Sequence, residues 1–258
     1  MISKQVVLAF IYFLSAVAFT GCSTTQVQKL HMTVSEAPEV HGANTYQKPH
    51  STSLRVTGNI NANARKNVNV TPEDSSKNGK EDEWIYKMGG LEFTGSAEFL
   101  YKNDEAILGL GIGYNDGLFH YIIFGDNESF YEYGFFFGFY HQFGHLNYEG
   151  KHCDATLFGE ENCTPFSDRK NDYYLGVLGG GFAGLFLGNL FINYSVSVYA
   201  PVADIDGSAT TISGIYSNYF TVGYRFKWAE LSAGLILTYV DEGYANFGFT
   251  SGLSFYLL

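Results

Sequence analysis

Cys153 and Cys163 stand ten residues apart and, with seven histidines, form the most reactive part of the sequence. Two thiols at that spacing can close a disulfide or supply half of a metal site. No His or Cys repeats at ligand spacing around them, and His152 reads as a surface residue, so a disulfide is expected in an exported chain. Its short ring is worth about 3 kcal/mol on the chain-entropy model. Acid–base or nucleophilic catalysis requires a His converging with carboxylates, or with a Ser and an acid, on one reacting atom. The candidates are His120, His141 and His145, with the loop acids Asp168, Asp172, Asp204, Asp206 and Asp241. Alternation puts His141 on the same face as Phe137 and Phe139, whereas the segment around His120 is apolar on both faces. No catalytic set is assigned, and no cofactor or metal is expected. Asp204-Ile205-Asp206-Gly207 is a fragment of a calcium loop without its later Glu. Gly111-Ile112-Gly113 and Gly179–Gly181 open no helix in a βαβ unit, so they read as strand glycines.

The elements that carry these residues have a distinctive composition. In 258 residues there are 26 acidic and 15 basic side chains, a net charge of −11, together with 20 Tyr, 23 Phe and 30 Gly. A hydrophobic content of 46 % excludes disorder of the whole chain. Beyond the N-terminus no apolar run is long enough for a membrane-spanning helix. The acidic balance argues against a nucleic-acid partner, which would need clustered Lys and Arg.

Lys4 is the only charge in the first 22 residues, and an apolar run from Val6 to Phe19 ends at Thr20-Gly21-Cys22. This is the layout of an export signal, expected over residues 1–21. The stretch resembles bacterial lipoprotein precursors. Cys22 matches the acylated cysteine and Gly21 the small residue before it, while Phe19 departs from the usual Leu. The resemblance implies cleavage before Cys22 and a lipid on that residue. Residues 22–52, rich in Ser, Thr, Gln, His and Pro, read as a lipidated flexible tether.

From Ser53 the pattern changes to period two, the mark of a strand buried on one face. Leu54, Val56, Ile60 and Ala62 oppose Arg55, Thr57, Asn59 and Asn61. Nine further segments follow, at 89–101, 105–114, 118–125, 130–144, 172–184, 188–201, 211–228, 230–240 and 245–257. Their long connections fall only at odd places in the order and the even ones are all tight turns, with 63–88 and 145–171 the longest. That parity, and the even strand count, resemble outer-membrane β-barrels as a class. The resemblance implies an all-β, antiparallel up-and-down transmembrane barrel over 53–258. It has ten strands, or eight if the 105–125 hairpin lies outside the wall. The final Leu258 departs from the terminal Phe common in that class. Both termini would lie on the periplasmic side, where the lipid of Cys22 reaches the inner leaflet. A soluble β-sandwich or closed barrel with an apolar interior is the alternative. Its water-facing strand positions would need more charge than the Ser, Thr and Gly found there.

Strand counting also places six charges near the periplasmic end. Arg55 and Glu98 face inward on neighbouring strands, and Glu132, Arg225, Lys227 and Glu230 fall at the same depth. Three positive and three negative groups would then close a narrow lumen. Ten-stranded outer-membrane barrels include the omptin proteases, but none of their site residues is carried over to this chain. The function expected is non-enzymatic: a structural or surface-interaction barrel of the Gram-negative outer membrane. Its contacts would be membrane lipid and lipopolysaccharide, with an extracellular partner met through loops 63–88 and 145–171. A small-solute pore and a membrane-embedded hydrolase are the alternatives.

Overall fold

The structure is a computed structural model that describes residues 23–40, 50–64, 67–70, 83–88, 90–104, 106–128, 130–155, 161–211, 214–240 and 244–257. The expected signal at 1–21 and Cys22 lie outside the described residues, as does Asp241.

Fourteen strands are described: β1 (Ser23–Thr33), β2 (Ser51–Asn63), β3 (Asn67–Val70), β4 (Glu83–Lys87), β5 (Leu91–Lys102), β6 (Ala106–Tyr114), β7 (Gly117–Asn127), β8 (Tyr131–Ala155), β9 (Glu161–Leu187), β10 (Leu190–Ile205), β11 (Ser208–Thr211), β12 (Ile215–Arg225), β13 (Ala229–Val240) and β14 (Tyr244–Leu257). Ten of them, β2, β5–β10 and β12–β14, pair antiparallel in a ring. The ring closes where β14 pairs with β2, from Gly248 opposite Asn63 to Leu257 opposite Leu54. The hairpin of β6 and β7 is part of this wall, so the count is ten rather than eight.

Side chains alternate across the wall because successive residues of a strand point to opposite faces. Phe93, Phe135, Leu235 and Phe249 are exposed on the outside, and Leu100, Phe119, Phe136 and Tyr140 are buried inside. Inward glycines on β6 make room for bulky neighbours. A Cβ on Gly111 would collide with the Tyr121 ring, and one on Gly113 with that of Phe119. Over β7–β9 the wall therefore carries aromatics on both faces, which is why the segment around Phe119 and Tyr121 shows no polar side in the sequence.

Three expectations are corrected. Residues 145–155 and 161–171 are strand rather than loop: β8 and β9 pair without a break from Tyr131 opposite Leu185 to Ala155 opposite Glu161, and so rise well beyond the rim. Residues 63–88 contain β3 and β4, which pair with one another, and β4 runs parallel to β1. The stretch read as a flexible tether is also structured where it is described. β1 pairs antiparallel with the raised part of β8, from Ser23 opposite Asp154 to Met32 opposite Leu146. Leu30 and Met32 are buried in that seam. Consequently Leu257 lies at the end of the barrel that carries the tight turns, and Ser23 at the opposite end. The first and last described residues do not share a side.

Candidate functional site: the occupied lumen

After β1 the chain turns over the rim and enters the barrel. Val34 donates to the carbonyl of Lys87 at 3.0 Å. The rim beside it is Gly144, where a Cβ would stand 2.8 Å from the Thr33 carbonyl oxygen. Only a residue without a side chain leaves that passage free.

The segment Val34–Val40 then lies inside the barrel, with all seven residues buried. Its backbone is held by four wall side chains, from the β6–β7 turn, β10 and β12. Asn115 donates to the carbonyl of Glu36 at 3.2 Å, Tyr219 to that of Ala37 at 2.6 Å, and Ser197 to that of Pro38 at 2.6 Å. Ser217 accepts from the Ala37 amide at 3.2 Å. Side-chain contacts add to these: Gln142 donates to Ser35 at 2.9 Å, Thr238 to Glu36 at 2.9 Å, and Asn59 to Glu39 at 3.4 Å. Each neutral bond of this kind is worth about 1 kcal/mol net, and leaving a buried partner unmade costs more. The Ser, Thr and Asn of the inner face thus act as a cradle for the protein's own peptide.

Toward the turns a second layer closes the barrel. Arg55 and Glu98, cross-strand partners on β2 and β5, form an ion pair through Nε and Oε2 with both side chains almost wholly buried. Tyr121 donates to the other oxygen of Glu98 at 2.5 Å. On the far side of Arg55 its cross-strand partner Tyr256 is within hydrogen-bonding reach, and Tyr256 donates to Glu230 at 2.6 Å. Glu230 accepts from Arg225 Nε at 2.8 Å, and the Arg225 guanidinium lies 4.3 Å from the centre of the Phe186 ring. One continuous chain therefore runs Tyr121–Glu98–Arg55–Tyr256–Glu230–Arg225. Tyr256, which links the two ion pairs, and Tyr121, which ends the chain, carry no formal charge and so escaped a count of charges. Glu132 is buried beside Gly184 in the same region. Lys227 is not in the lumen: it is exposed in the turn between β12 and β13, where the strand has ended and alternation no longer points it inward. The balance is thus two arginines against three glutamates.

Cys153 and Cys163 are joined as a disulfide across directly opposed residues of β8 and β9, with Cα atoms 4.1 Å apart. They clamp the raised hairpin near its tip. His120 and His141 face outward, stacked at 5.2 Å between ring centres, and His141 bonds to the Tyr173 hydroxyl. His145 meets Asn171 at 3.1 Å and Arg169 at 3.1 Å on the same outer face. The lumen carboxylates lie on the other side of the wall from all three. Asp204 lies near Lys170, at 3.8 Å, and Asp206 contacts His152.

No protein-family model matches the chain, and no curated protein matches it either.

Proposed function

We propose that this protein is an outer-membrane β-barrel that is closed by its own polypeptide and serves as a structural or surface-interaction element. The observation that carries this reading is the lumen. Val34–Val40 fills it toward the raised hairpin, and the Arg55–Glu98 layer fills it toward the turns. A ten-stranded barrel has little spare interior, so two such layers leave no continuous aqueous path. The outward belt of Phe, Leu, Val and Tyr supports a lipid environment, since a water-facing wall would carry charge at those positions. The length of β8 and β9 supports presentation, because these strands carry β1, β4 and a disulfide beyond the rim. Export by the first 21 residues and acylation of Cys22 are part of the same proposal. The partner class is outer-membrane lipid, including lipopolysaccharide, together with whatever meets the hairpin.

The experiment is direct. The purified protein should migrate faster on a denaturing gel before boiling than after, and should stay silent in planar bilayers. Steady multi-ion conductance from the unmutated chain would favour the pore, and lipid or peptide turnover would favour the hydrolase.

A further inference from the structure

The path of the first described residues leads to a topology that a tethered barrel would not have. We infer that the chain is threaded through its own barrel, so that Ser23–Thr33 stands on the outer side of the membrane and whatever Cys22 carries is delivered there. This rests on the outer-membrane reading above, which assigns the tight turns to the periplasm.

Two observations carry it. β1 is held against the raised part of β8, with Ser23 opposite Asp154. At about 3.3 Å per residue, the eleven steps from Phe143 to Asp154 are about 36 Å of strand beyond the last exposed aromatic of β8. The other end of the segment emerges at the turns, where His50 lies 3.2 Å from Asp104 in the β5–β6 turn. Between the buried Val40 and the exposed His50 there are ten peptide steps, which span at most about 36 Å. The described part of the descent lies in the lumen, from Val34 bonded to Lys87 at the rim to Glu39 beside Asn59 of β2 at 3.4 Å.

An acyl group on Cys22, one residue from Ser23, therefore cannot sit in the periplasmic leaflet of the membrane that holds the barrel. It belongs to the outer surface, with the raised hairpin.

Single cysteines tested with a membrane-impermeant maleimide on intact cells decide this, each read against the unmutated chain. Ser167→Cys marks the raised hairpin, Lys227→Cys marks a tight turn, and Gln26→Cys reports on β1. The expected result is equal labelling of Gln26→Cys and Ser167→Cys in intact cells, with Lys227→Cys labelled only after permeabilisation. Labelling of Ser167→Cys but not of Gln26→Cys overturns threading and leaves the barrel reading standing. Failure of Ser167→Cys, or labelling of Lys227→Cys in intact cells, overturns the orientation and the inference with it. An independent arm pairs Ala37→Cys with Ser217→Cys. Oxidation should give an internal cross-link in the membrane-inserted protein, and a folded double variant with no cross-link also overturns the inference.

Discussion

Tyr219 gives its hydroxyl hydrogen to the backbone carbonyl of Ala37 at 2.6 Å, although the two residues stand 182 positions apart. The bond joins the wall to a segment that precedes every wall strand. Tyr219→Phe keeps the ring and removes only the donor, which leaves a buried carbonyl with one partner fewer. The expected cost is about 1 kcal/mol. In a chain of this size that lowers the midpoint for heat-induced loss of the fast-migrating form by about 2–4 °C. An unchanged midpoint would show that the segment is not held at this point.

Arg55→Ala strands Glu98 in a buried site, at about 3–5 kcal/mol if the site is fully desolvated. The double variant Arg55→Ala, Glu98→Ala removes both charges and should recover part of that loss. The coupling from the four chains measures the pair itself, because the two residues touch and their effects do not add. Additive effects in denaturant unfolding would mean that each charge is stabilised separately.

Gly144→Val should expel the entering segment, because a side chain there collides with the Thr33 carbonyl. Because the Arg55–Glu98 layer still closes the turn end, the expected sign is a lower midpoint for loss of the fast-migrating form and protease cleavage within 34–40, a segment protected in the unmutated protein. An equally stable and equally protected variant would show that the passage tolerates the side chain.

Cys153→Ser with Cys163→Ser should loosen the hairpin tip without unfolding the barrel. The clamp lies beyond the last pairing of β7 with β8, at Gln142, so the wall ladder does not depend on it. Protease should then cut between 145 and 171 while the fast-migrating band persists. Loss of that band would place the disulfide in the stability of the whole fold.

The wall was legible because its code is local. Leu54 to Ala62 and Phe247 to Leu257 alternate under a rule that needs only the next residue but one, and the strands other than 118–125, which is apolar on both faces, were found this way. The cradle was not legible. Val-Ser-Glu-Ala-Pro-Glu-Val has no strand period, contains a proline and carries two acids, so its composition is that of a linker. Its burial depends on Ser197, Ser217, Tyr219 and Thr238, which alternation turns inward but which carry no sign of what they hold. Arg55 and Glu98 were placed together by cross-strand counting. Lys227 was misplaced by the same counting, because the count ran past the end of β12 into a turn.

On the threaded path inferred above, the seam between β14 and β2 makes the protein a lasso whose loop is closed by hydrogen bonds alone. The last strand of the chain completes the ring, yet the ring surrounds residues that precede its first strand. Passing β1 through a finished hoop would drag eleven residues past Tyr121, Tyr140 and Arg55, all buried in the interior. Assembly therefore has an order written into the connectivity: the leading end goes in first, and the trailing strand zips shut around it. A chain halted before Tyr244 is an open trough with its own thread lying in it.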